Sequence, residues 1–187
     1  MAFKEAMANS LLVAMPRLDD PNFTRSVIYV CEHHEKGAIG IIINRPMPYP
    51  LGMVFEQLQI EPVNVEKSKI PLLTGGPIQQ ERGFVIHRPF GGWRSSLALR
   101  GGVTVTTSND IIRAIARDTG PMDALVALGY SGWDEGQLEK EVVEDMWLVC
   151  PYKPEILYEI PFEDRWSYAG SLLGVDMSRL TTGPGNA

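Results

Sequence analysis

The sequence predicts an α+β domain in which a mostly antiparallel sheet packs against helices. Three observations carry this. Runs rich in β-branched residues come first, helical apolar stripes follow, and two late strands interleave with the last helices, an order that suits α+β better than a regular βαβ array. The chain has 187 residues at 44% hydrophobic, enough for one compact core. Its apolar runs are strand length, bounded by Gly, Pro and Asp. The expected organisation is a single domain over 1–180 and a flexible tail over 181–187, TTGPGNA, which has nothing to bury.

Taken in order, SLLVAM at 10–15 reads as a first strand, turned by Pro16 and the Asp19-Asp20-Pro21 run. The stretch 23–46, FTRSVIYVCEHHEKGAIGIIINRP, is the clearest hairpin: 27–30 and 39–43 are apolar on both faces, as in strands buried on both sides. Between them 33–37 reads as a polar loop with Gly37 free to take a positive φ. Leu51, Val54, Phe55 and Leu58 form one stripe of a short helix. Residues 61–69 are polar and unpatterned, and Leu72 and Leu73 lead into the Thr74-Gly75-Gly76-Pro77 turn. Three strands are expected at 82–89, 97–99 and 103–106, with Gly101-Gly102 as a two-residue turn.

Ser108, Asn109 and Asp110 supply polar groups for a helix start, Ile111, Ile112 and Ile115 form its buried stripe, and Gly120-Pro121 ends it. DALVALGY at 123–130 is the next strand. Asp134 and Gln137 resemble a capping box for a helix running through Asp145. MWLVCPY at 146–152 is the last strand, and Phe162, Trp166, Ala169 and Leu173 mark one face of a closing helix.

Composition excludes several functions. A formal charge of −6 leaves little basic surface for phosphate neutralisation, so no direct nucleic-acid partner is expected. No apolar run reaches the ~20 residues of a membrane span, and the N-terminus lacks a secretory pattern, so a cytoplasmic protein away from the membrane is expected. Cys31 and Cys150 fit no metal or disulfide spacing and are expected as free thiols. No nucleotide-binding motif occurs, and no metal or other cofactor is expected.

The segments RSVIYVCEH, GAIGIIINRP, TGGP with RGFVIH, VTVTTSND, ALGYSGW, GQLEKE and RWSYAGSLLGVD, in this order over nearly the whole chain, resemble the YqgE/AlgH family of small bacterial proteins. The resemblance implies a mixed, mostly antiparallel sheet rolled into an irregular, partly open barrel with flanking helices outside it. It also implies a regulatory role, since the family is commonly described as transcriptional regulators.

Cys31 stands where a core strand passes from Val30 to Glu32. Its plain reading is a packed, inert thiol. Its sharper reading is a nucleophile or redox sensor, which needs a cation to hold it as thiolate; Arg82, in a segment the family shares, is the chosen partner over His33 and His34. Cys150 lies where the family usually has another residue and reads as structural. A metal site over 32–35 is disfavoured because adjacent strand side chains diverge.

A hairpin centred on Glu35 sets Arg25 opposite Arg45, which calls for a carboxylate such as Asp19 or Asp20, or for a bound anion. Arg25, Arg45 and Arg82 are thus the anion-binding candidates. Gly75-Gly76-Pro77 reads as a plain turn rather than a phosphate nest. Gly129-Tyr130-Ser131-Gly132-Trp133 sits where a nucleophile elbow would, but its last residue is not glycine and the family commonly has alanine at Ser131.

The expected function is a noncatalytic regulatory or binding protein that acts through a protein partner rather than on DNA. Thiol chemistry at Cys31, and an enzyme or binder of a small anionic ligand, stand as the alternatives. No general acid or base completes a catalytic set in the sequence, and nothing in it sets the oligomeric state.

Overall fold

A computed structural model of the chain describes residues 7–181. In chain order the strands are β1 (Ser10–Ala14), β2 (Val27–His34), β3 (Gly37–Ile42), β4 (Pro46–Pro50), β5 (Pro71–Thr74), β6 (Ile78–Arg88), β7 (Ser96–Ala98), β8 (Thr104–Thr106), β9 (Asp123–Asp134) and β10 (Trp147–Pro151). The helices are α1 (Gly52–Gln57), α2 (Asn109–Ala116), α3 (Gln137–Val143), α4 (Pro154–Tyr158), α5 (Arg165–Leu172) and α6 (Met177–Thr181). Strand pairs are antiparallel except for β5 with β9, which bears out the α+β class with a mostly antiparallel mixed sheet. Of the expected tail over 181–187, Thr181 closes α6 and the rest lies outside the described residues.

Two compact units emerge from the packing: one takes the described residues up to Asn44 and from Ser131 onward, the other is Arg45–Tyr130. In the first, strands run in the order β10, β1, β2, β3, β9. Every residue of β1 is buried, as a central strand requires. β2 and β3 join through a two-residue turn, Glu35-Lys36, so His33 and His34 belong to the strand and not to a longer polar loop. Gly37 makes this possible: at φ 134° it lies against the Trp133 carbonyl, where a side chain would collide.

Near the turn His33 pairs with Ala38 and Glu32 with Ile39, whereas farther along Val30 pairs with Gly40 and Tyr29 with Ile41. Cys31 is the extra residue of a β-bulge that reconciles the two registers. The register centred on Glu35 therefore holds beyond the bulge and is off by one residue before it. On one face of this sheet Leu12, Ile28, Val30, Ile42, Trp133 and Trp147 build a core closed by Leu138 of α3. In α3 the Gln137 side chain accepts the Asp134 N–H at 2.9 Å, the reach-back half of the expected capping box, although Gly136 occupies the cap position.

In the second unit β9 lies between β5, which it pairs in parallel, and β6, with β8 and β7 beyond β6 and β4 beyond β5. Phe55 of α1 and Ile111, Ile112 and Ile115 of α2 pack with Leu72, Val85 and Val126, so both helices rest on one sheet face. β4, PMPYP, was not legible because its prolines argue against a strand. It is tolerated as an edge that pairs with β5 alone. The connection from β7 to β8 is a 3-10 turn over Arg100–Gly102 rather than a two-residue hairpin turn. No helix among the described residues is long and apolar enough to cross a membrane.

Candidate functional site

The second unit holds a cleft of about 390 Å³ bounded by α1, β6, β9 and the start of α2. Its apolar wall is Met53 and Val54 of α1, Leu58 just past the end of that helix, Val85 of β6 and Ile112 of α2, with Val126 and Leu128 of β9 beneath. The volume falls within the range of small-molecule sites, roughly 300–1,000 Å³. Gly83 keeps the β6 side open: a Cβ there would meet only the Leu128 side chain, at 3.9 Å. Gln57, Gln80, Glu81, Thr107, Ser108 and Asn109 supply the polar part of the lining.

Behind one side of the cleft lies a buried hydrogen-bond chain. His87 is fully buried, with Nε2 2.7 Å from the Thr106 hydroxyl and Nδ1 3.1 Å from the Pro89 carbonyl. A carbonyl can only accept, so in the neutral ring Nδ1 carries the proton and Nε2 accepts the Thr106 O–H. Burial lowers the His87 pKa below its ordinary 6.5, against the opposing pull of the Pro89 carbonyl, which keeps the ring neutral at pH 7. Ser96 Oγ lies 2.8 Å from the Thr106 hydroxyl and 2.9 Å from the Trp93 carbonyl, extending the chain.

At the α2 start, Ser108 makes no side-chain cap. Its hydroxyl donates to Asp110 at 2.5 Å and accepts the Ser95 N–H at 3.1 Å, and the other Asp110 oxygen accepts the Arg94 N–H at 2.9 Å. These polar residues therefore pin the 94–95 loop to the helix, a tertiary role that a cap pattern in the sequence does not reveal.

Elsewhere, Cys31 is buried in the first unit, and desolvation, with a smaller contribution from Glu32, pushes its thiol pKa far up. Its Sγ lies 3.8 Å from the Tyr29 carbonyl oxygen, to which the thiol can donate. These are the surroundings of a packed thiol, and a thiolate has no support there. Cys150 is also buried, with its pKa raised mainly by desolvation. His33 Nε2 meets Glu139 Oε1 at 3.0 Å. Among the described residues, no group of three His, Cys, Asp or Glu gathers to hold a metal ion.

The arginines take separate places. Arg25 sits at φ 55° ahead of β2, its guanidinium 5.3 Å from the Trp166 ring. Arg45 follows β3 and gives its carbonyl to Thr74 N–H at 2.9 Å; the β2–β3 ladder stops short of both, so it does not set them face to face. Arg82, in the second unit, lies over Phe84 at 5.2 Å, whereas Glu81, Gly83 and Val85 line the cleft. Arg82 itself is not among the residues that line the cleft. Ser131 lies inside the unbroken strand β9, which provides no strand-to-helix elbow.

An AlgH-like family model matches residues 11–178. The chain belongs to the AlgH-like family. It is 64% identical to a UPF0301 protein of Legionella pneumophila (strain Lens) and 48% identical to one of Thioalkalivibrio sulfidiphilus, each over the whole of both chains. It is also similar to the solution structure of the AlgH protein from Pseudomonas aeruginosa, with a TM-score of 0.80 and 43% identity over 97% of this chain and 96% of that one. Two of the segments through which the sequence resembles AlgH proteins, RGFVIH and VTVTTSND, supply Gly83, Val85, Thr106, Thr107, Ser108 and Asn109 to the cleft.

Proposed function

We propose that this AlgH-like protein is a cytoplasmic, noncatalytic binding protein with a regulatory output, and that the cleft in its second unit is the seat of a small ligand. The cleft itself carries the proposal: an apolar wall with a few hydrogen-bonding groups is what selective small-molecule sites are made of. His87 and Thr106 form a hydroxyl–imidazole pair, but both are fully buried, which suits a scaffold beneath the lining better than reacting groups. The chain's net charge of −6 favours an output through a protein partner over one on DNA.

The test is a thermal-shift screen of small apolar compounds against wild type and Gly83→Ile. The new side chain suits an extended strand and projects into open space, so it fills the cleft while the fold persists. Compounds that raise the wild-type midpoint and lose that effect in Gly83→Ile support the proposal. Equal shifts in both proteins, or none in wild type, overturn it.

A further inference from the structure

The charge of the cleft lining is one-sided. Among the described residues lining it, Glu81 is the one ionised side chain, and there is no lysine, arginine or histidine. Two of its hydroxyl protons are already committed away from it. Ser108 donates to Asp110, and Thr106 donates to Nε2 of neutral His87. The Glu81 carboxylate can only accept. The Thr107 hydroxyl and the side-chain amides of Gln57, Gln80 and Asn109 work in either sense, so the asymmetry of the lining is one of charge.

We infer that the cleft takes an apolar molecule ending in a protonated amine and rejects the matching carboxylate, with Glu81 setting the preference. The inference rests on the reading of the cleft as a ligand seat. An ammonium head brings donors and a positive charge to the Glu81 carboxylate and to the amide oxygens beside it. A carboxylate head finds no cation, loses water, and faces Glu81 at like charge. Arg82 does not offset this, since its guanidinium lies over the Phe84 ring at 5.2 Å and neither residue lines the cleft. A small anionic ligand, one of the alternatives the sequence raises, would find no cationic side chain in the lining of this cleft.

Three probes with one apolar stem separate the effects: 3-phenylpropylamine, 3-phenylpropan-1-ol and 3-phenylpropanoate. Each is titrated into ¹⁵N-labelled full-length protein at about 0.01 M salt, where screening is weak. The amine is expected to bind about two- to fivefold tighter than the alcohol, the size of an exposed ion pair, and the carboxylate weaker than both. Glu81→Gln is expected to erase the advantage of the amine over the alcohol. A carboxylate that binds as well as the amine, or a preference that survives Glu81→Gln, overturns the inference while the ligand seat stands. If none of the three shifts the cleft amides in wild type, or if they bind Gly83→Ile equally well, the ligand seat falls and the inference with it.

Discussion

Trp133 and Trp147 donate their indole N–H groups to the same oxygen, Oε2 of Glu141, at 2.9 and 2.8 Å. The two rings meet edge to face at 6.1 Å and Phe23 packs on both. The other Glu141 oxygen accepts from Gln137 at 2.9 Å. One carboxylate on α3 thus satisfies both polar atoms of an otherwise apolar wall formed by β9 and β10.

Replacing Glu141 by alanine leaves two largely buried indole donors without this acceptor, at a cost of about 1–3 kcal/mol. Glu141→Gln retains one carbonyl acceptor and is expected to lose less. Urea unfolding followed by tryptophan fluorescence measures both. An alanine variant as stable as wild type would show that water replaces the carboxylate without penalty.

The buried guanidinium of Arg165 makes a second anchor. It donates to the Ile43 carbonyl at 2.5 Å and the Ile160 carbonyl at 2.9 Å, lies 4.5 Å from the Phe162 ring, and has its pKa lowered to about 10 by desolvation. Arg165→Ala is expected to cost about 3–5 kcal/mol, because it strips two carbonyls of donors and opens a cavity. Chemical denaturation checks this, and a loss below about 1 kcal/mol would contradict it.

Much of the fold was legible in the sequence because periodicity and turn residues report local choices: β1, the β2–β3 hairpin, α1, α2 and β10 fall where apolar runs and stripes place them. Nonlocal choices were not legible. The bulge at Cys31 exists to reconcile two registers, and β9 runs on past Tyr130 to Asp134 because Gly37 to Gly40 pair with its end. The site followed the same division. Cys31 and the arginines stood out by chemical type, whereas Glu81, Thr106 and Ser108 gain their meaning from β6, β8 and α2 meeting around one cleft.

The buried thiol predicts alkaline sensitivity. Cys31 ionises near 9.0 when unfolded and far higher when folded, so above about pH 9 the unfolded chain releases a proton that the folded chain keeps. Stability conferred below that pH is lost as pH rises, and Cys31→Ala is expected to flatten the decline. Iodoacetamide is expected to modify Cys31 and Cys150 slowly at pH 7 until the protein unfolds. Rapid labelling of Cys31 in the native state would contradict the burial argument and restore the thiol to functional candidacy.

His87 predicts the opposite limb. Its folded pKa lies below 6.5, so at acid pH the unfolded chain binds a proton that the native network refuses. Stability present above about pH 6.5 falls as pH drops through that value. His87→Gln is expected to have a lower plateau and a shallower acid slope between about pH 6.5 and 5. An unchanged slope would place the acid sensitivity in other groups.

The central claim is that the cleft of the second unit seats a ligand, and crystals soaked in 3-phenylpropan-1-ol test it most directly. Electron density for the phenyl ring is expected against Met53, Val54 and Ile112, with Gly83 open beside it, and none at this place in Gly83→Ile. An empty cleft in soaked wild-type crystals, or the same density in the filled variant, would contradict it.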